Sequence, residues 1–282
     1  MKKGMIASLI LLLIFSAALS VFSQETPAPS PTPSPAPEKK ELTAEEIVAK
    51  ANHVSYYQGA DGRAFVEMLV SDSQGRTRER SLTILRRNDD KENRGQKFYV
   101  FFDKPADVRN MVFLVWKNID KDDDRWLYLP AMDLVKRIAA SDKRTSFAGS
   151  DFFYEDVSGR PLKEDEHTLA ATEEKFYIIN NIPKDTKSVE FASYKVWIDK
   201  ETFMPMKAEY LDAAGKKYRV MEVLETKTIQ DFPTVTKSRI SDLNTGSNTV
   251  MNFTDVQYDV GLPEDIFTER SLRRAPRKFL SR

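Results

Sequence analysis

The residues with the means to do chemistry are few. His53 and His167 are the only histidines, and there is no cysteine. A zinc or iron centre built on imidazole would need both of them plus a carboxylate. His53 falls on the polar side of the first helix and His167 in a charged loop, so both read as solvent-exposed or structural side chains. Gly149-Ser150-Asp151 offers a serine nucleophile with His167 as its base, but the G-x-S-x-G elbow is missing. Asp151, Glu155 and Asp156 carry the groups of an acid/base pair, although nothing in the sequence sets their separation. Salt bridges to Arg137, Arg144 or Arg160 are their plainer role. The run Asp120-Lys121-Asp122-Asp123-Asp124 starts like a calcium loop, yet the sixth position is Arg125 and the twelfth Ala131, where glycine and glutamate belong. It reads as a solvated hairpin tip. No phosphate-cradling glycine loop or dinucleotide fingerprint occurs. The expectation is a protein without catalytic residues, metal or cofactor, and not an enzyme.

Lys plus Arg and Asp plus Glu both number 43, so the basic excess of a general nucleic-acid binder is missing. The lack of cysteine removes disulfides and any lipobox. At 41% hydrophobic residues, with 17 Phe and 10 Tyr, the chain can fill a folded core. Lys2 and Lys3 precede an apolar run from Met5 to Phe22 that ends in small residues (Ala18, Ser20, Ser23), which predicts an export signal over 1–23. Cleavage and retention as a membrane anchor both fit, since about 18 apolar residues just span a bilayer. Either way the body is expected to be exported. Residues 24–41 form a Pro-rich linker, with proline at every second position from Pro27 to Pro37; it is either a stiff spacer or a disordered remnant.

The folded part is expected over 42–275, followed by a basic tail, 276–282. Thr43 and Glu46 make a capping box, Leu42 and Ile47 a hydrophobic staple, and Ile47, Val48, Ala51 and Val54 one apolar stripe. That helix should end at Gly59 and Gly62. Alternating or apolar runs then predict strands at 64–70, 81–85, 97–102, 111–116, 126–129, 175–180, 188–199, 206–212, 218–225, 234–242 and 249–258. A helical or irregular insert occupies 130–165, and a short terminal helix begins at Leu262. The fold is read as mainly β in hairpin succession, one domain.

Large aromatic side chains recur through these strands and the insert: Phe113, Trp116, Trp126, Tyr128, Phe147, Phe152, Phe153 and Tyr154. Any one of them suits a filled core. As a set they also suit the concave face of a curved sheet that holds an acyl chain. Methionines (Met111, Met132, Met204, Met206, Met221, Met251) would let such a lining adapt to ligand shape.

In the order Trp126-Leu127-Tyr128-Leu129-Pro130, Val135-Lys136-Arg137-Ile138, Gly149-Ser150-Asp151-Phe152-Phe153-Tyr154-Glu155-Asp156, Val196-Trp197-Ile198-Asp199 and Leu262–Leu272, the chain resembles the LolA-like outer-membrane lipoprotein-sorting family. Within it, the chain is similar to the treponemal-type branch of periplasmic lipid or lipoprotein carriers, over roughly 41–275. The resemblance implies a half-open antiparallel β-barrel, with a leading helix and a helical lid enclosing a hydrophobic cavity. It implies a cargo of lipoprotein acyl chains or phospholipid, carried toward the outer membrane with transient membrane contact, and no nucleic acid. The expected lining and lid residues are Trp126, Tyr128, Phe147, Phe152, Phe153, Tyr154, Phe113 and Trp116, with Arg137 as a lid contact. The alternative is a non-catalytic accessory module of an inner-membrane transporter of the resistance-nodulation-division type.

Overall fold

The computed structural model describes residues 41–89 and 95–281. The expected signal, 1–23, and the Pro-rich linker as far as Lys40 lie outside them. The first element is the helix α1 (Ala44–Asn52), and its start has the chemistry the sequence predicts. Thr43 Oγ1 accepts from the Glu46 N–H at 3.2 Å and the Glu46 carboxylate accepts from the Thr43 N–H at 2.8 Å, so two helix-end donors are satisfied reciprocally. Past Asn52 the coil widens into a single π turn, His53–Tyr57, and α1 is shorter than expected.

Strands follow: β1 (Asp61–Ser71), β2 (Thr77–Asn88), β3 (Gln96–Lys104), β4 (Val112–Lys117), β5 (Asp124–Leu129) and β6 (Leu134–Ile138). After a connecting segment that contains the helix α2 (Tyr154–Ser158) come β7 (Asp165–Thr172), β8 (Phe176–Pro183), β9 (Ser193–Asp199), β10 (Pro205–Leu211), β11 (Lys217–Ile229), β12 (Phe232–Asp242) and β13 (Ser247–Tyr258). The chain ends with a 3-10 turn at Glu264–Phe267, the short helix α3 (Arg270–Arg273) and a last turn at Arg277–Phe279. The structure adds β6 and β7 to the expected strands, and the strand expected over 188–199 begins only at Ser193.

All thirteen strands form one antiparallel sheet in the order β6-β5-β4-β3-β2-β1-β13-β12-β11-β10-β9-β8-β7. The sheet is mainly a meander with one exception. The chain walks from the centre to one edge (β6), crosses to the far edge (β7), and walks back until β13 pairs with β1. Residues 139–164 make that crossing. The sheet does not close on itself, because β6 and β7 do not pair.

Successive side chains of a strand point to opposite faces, and here the two faces carry separate cores. On the inner face Phe98, Val100 and Phe102 of β3 and Phe113 and Val115 of β4 join Val66, Met68 and Leu82 beneath Phe147, Phe152 and Tyr154 of the crossing segment. On the outer face the intervening residues, Tyr99, Phe101, Leu114 and Trp126, are covered by Leu262, Ile266, Phe267 and Leu272 of the C-terminal segment. Phe279 and Leu280 pack against that second core. A third group seats Ile47, Val48 and Ala51 of α1 on Ile179 and Ile198. No helix among the described residues is long and apolar enough to cross a membrane.

The outer cover is pinned by the buried Asp61, whose carboxylate accepts the N–H groups of Val260 and Leu262, both at 2.7 Å. Removing it leaves two backbone donors without a partner, at about 1–3 kcal/mol each where they stay buried. Asp61→Ala should therefore lower unfolding free energy by about 2–4 kcal/mol in urea melts.

Candidate functional site

The residues singled out for chemistry have structural partners. Ser150 Oγ donates to the Phe147 carbonyl at 2.7 Å and accepts from the Phe152 N–H at 3.2 Å, closing the turn that presents both phenylalanines. Gly149 and Ala148 take positive φ there. His167 lies on β7, held through its ring nitrogens by Asn181 Oδ1 at 2.7 Å and the Leu162 carbonyl at 3.0 Å. Asp151 accepts from Ser247 Oγ and, at 2.6 Å, from Thr249 Oγ1, tying the same turn to β13. Among the described residues no group of three or more His, Cys, Asp or Glu is placed to hold a metal ion.

Charged side chains of the crossing segment condense around one carboxylate. Glu155, 1% exposed, lies 2.9 Å from Arg144 Nη1, 3.1 Å from Lys143 Nζ and 3.3 Å from Arg160 Nη1. Burial alone would raise its pKa, but the three neighbouring cations and the hydrogen bond from Arg144 outweigh it and hold the carboxyl down to about 2. The cations have further partners: Arg144 reaches Glu190 at 2.6 Å, Lys143 reaches Glu164 at 2.7 Å, and Arg160 reaches Asp165 at 2.9 Å. Sheet residues then grip the segment. Arg219 of β11 binds Asp156 at 2.5 Å, and the buried Lys117 of β4 donates to the carbonyls of Ser158 and Gly159. Burial pushes the Lys117 ammonium down to about 8.

Between α1 with its π turn, the crossing segment and the inner face of the sheet lies a pocket of about 450 Å³. Val48 and Ala51 form part of its wall, opposite Ile84, Val100, Val196, Ala208, Met221 and Phe253. The sheet must curve to do this, because β2–β3 and β8–β11 reach the same space. Its polar end carries Tyr56, Glu155, Asp156, Arg144, Arg219, Tyr194 and Tyr210. Size and lining are those of a site for an apolar small molecule with a few placed polar groups.

Of the expected lining residues, Phe147 and Phe152 reach this pocket wall. Phe113 and Tyr154 are buried beside Phe147 in the inner core, at ring distances of 5.5 and 5.7 Å from it, and are not among the pocket's lining. Phe153 is half-buried under the Arg219 guanidinium, 4.3 Å away. Trp116, Trp126 and Tyr128 lie on the opposite face of the sheet, in or against the outer core, with Trp116 and Trp126 rings 4.7 Å apart. Arg137 is exposed at the β6 edge, paired with Asp124 and 5.6 Å over the Trp126 ring. Alternation along β5 is the reason: Arg125 and Leu127 turn inward, so Trp126 and Tyr128 turn out. Of the methionines, Met204, Met221 and Met251 line the pocket, Met111 is in the inner core, and Met132 is 65% exposed. Sequence reading did not single out Tyr56 or Tyr210 for the site. Tyr56 is one of a Tyr56-Tyr57 pair and Tyr210 falls inside the strand expected over 206–212, and only the fold brings them to one pocket.

A protein-family model described as "-like: Uncharacterized protein" matches residues 94–274. No curated protein matches. In three dimensions the chain is similar to a DUF1329 family protein from Desulfovibrio piger, with TM-score 0.74 and 28% identity over 82% of this chain and 99% of that one. It is also similar to a protein described as an outer membrane lipoprotein-sorting protein domain from Vibrio parahaemolyticus, with TM-score 0.73 and 27% identity over 82% of this chain and 98% of the other. A LolA superfamily protein from Nitrosomonas europaea shares the fold at TM-score 0.63 and 19% identity, over 82% of this chain and 99% of that one. The family model spans more than half of the chain, so the chain belongs to that family, and it shares its fold with the structures above.

The ionic cluster makes a testable demand. Glu155→Gln leaves buried cations short of a partner and should cost about 3–5 kcal/mol at pH 7. Because the folded pKa of Glu155 lies below the ordinary value of 4.5, its contribution is fully present above about pH 4.5 and is lost as pH falls toward 2. Unfolding midpoints measured from pH 7 to pH 2.5 should fall more steeply in the wild type than in Glu155→Gln below pH 4.5.

Proposed function

We propose that the protein is an exported, periplasmic carrier that takes acyl chains of a lipoprotein or phospholipid into this pocket and conveys them toward the outer membrane. The observation that carries the reading is the continuous apolar pocket between α1, the crossing segment and the curved sheet. The names borne by its structural relatives, lipoprotein-sorting protein domain and LolA superfamily protein, agree with it. An acyl chain in water has a strong reason to enter such a space. Fifteen methylenes at about 0.8 kcal/mol each come to roughly 12 kcal/mol of transfer free energy. Such a carrier performs no chemistry on its cargo. Release then requires an acceptor with higher affinity, since binding equilibria alone drive the hand-off.

Native mass spectrometry of the full-length protein recovered from periplasm, followed by solvent extraction, tests the reading. A bound mass matching a phospholipid or an acylated peptide is expected. A clean protein mass, with no uptake of added fluorescent lipid, would contradict it. Ala208→Phe places a ring in the pocket without deleting any core atom. It should reduce uptake of a fluorescent acyl probe at least about tenfold while moving the thermal midpoint by no more than a few degrees.

A further inference from the structure

The polar groups of the pocket's charged end differ in how fully they are engaged. Tyr194 Oη donates to Asp165 at 2.7 Å. Arg144 is held by Glu155 and Glu190, Arg160 by Glu155, Glu164 and Asp165, and Arg219 by Asp156. Two phenols stand apart. Among the described residues the Oη atoms of Tyr56 and Tyr210 make no hydrogen bond, and both residues line the pocket.

Both rings are fixed in place. Tyr210 stacks on Tyr194 at 5.0 Å, with the Arg219 and Arg144 guanidiniums 5.2 and 5.7 Å from its ring. Tyr56 lies under Lys117 Nζ at 5.4 Å and presses against Gly159, where a Cβ would come within 2.6 Å of the ring. Gly159 also has positive φ, so glycine is needed there twice over. Burial raises the pKa of both phenols; the carboxylates of Asp156 and Glu155 add to the rise, and at Tyr210 the Arg219 and Arg144 guanidiniums oppose it without reversing it. They therefore stay protonated and can donate.

This end of the pocket offers O–H donors in a setting whose guanidiniums already have carboxylate partners. A ligand carboxylate placed here would bring a further buried negative charge beside Glu155 and Asp156, which is unfavourable without a free cation to meet it. A neutral carbonyl takes the same hydrogen bonds with no charge to bury. Resting on the carrier reading above, we infer that Tyr56 and Tyr210 form an acceptor subsite for the ester or amide carbonyl of an acyl chain. This end of the pocket thereby favours chains that are already esterified or amide-linked over free fatty acids; the remaining lining guanidinium, Arg86, is taken up by the Gln58 carbonyl and Asn88 Oδ1.

Displacement of a fluorescent acyl probe by methyl laurate and by laurate at pH 7.4, each below its aggregation concentration, tests this with the full-length protein. The ester should displace at about tenfold lower concentration than the acid. The Tyr56→Phe/Tyr210→Phe double variant keeps both rings and removes no hydrogen bond found among the described residues, so its thermal midpoint should hold. It should need about tenfold more ester than the wild type, the equivalent of one or two hydrogen bonds, with laurate unchanged. Laurate displacing as well as the ester, or a double variant that leaves the ester's potency untouched, would overturn the subsite while leaving the carrier reading in place. Failure of the wild type to bind the probe at all would strike down the pocket reading and the subsite with it.

Discussion

The buried carboxylate of Glu155 is the point on which the rest of the structure leans. A sheet that starts in its middle, runs to one edge and must resume at the other forces residues 139–164 across its inner face. That crossing segment cannot be held by apolar contact alone, because a pocket lies under part of it. Instead it folds around Glu155, with Lys143, Arg144 and Arg160 supplied from its own turns. Arg219, Lys117 and Thr249 then fasten it to β11, β4 and β13. Buried ion pairs contribute little net stability against a hydrophobic substitute, but breaking one partner is expensive. The segment is therefore tied to one position over the sheet.

The two faces of the sheet are consequently unequal. The outer face around β3–β5 is packed beneath Leu262, Ile266, Phe267 and Leu272. The inner face is filled under Phe147, Phe152 and Tyr154 and leaves space where α1 and the far strands approach. The methionines and small residues of that wall, Met221, Met251 and Ala208, keep the space open and deformable. A carrier needs this combination of a fixed cover and a soft lining.

Much of this was legible in the chain. The Thr43/Glu46 capping box and the Ile47, Val48, Ala51 stripe specify α1 and its buried face locally, and strand alternation located most of the sheet. The β6 strand escaped notice because Leu134–Ile138 is an edge strand with Lys136 and Arg137 turned to solvent, the charged pattern that blunts a sheet edge. The aromatic set does not single out the pocket, because aromatic content does not say which face a side chain occupies. Applied to Trp126-Leu127-Tyr128, period-two alternation puts the two large rings on the face opposite Leu127. What covers that face, residues 260–280, sits more than a hundred positions away. Nothing local in the sequence marks Tyr56 or Tyr210 for the pocket, and their meeting there depends on the crossing segment and the curve of the sheet together.

The most direct test is a crystal structure of the protein soaked with a terminally brominated acyl ester, read by bromine anomalous scattering. The account predicts bromine density on the inner face, among Val48, Ala51, Ala208 and Met221. Bromine on the outer face beside Trp116 and Trp126, or none within the protein, would contradict it.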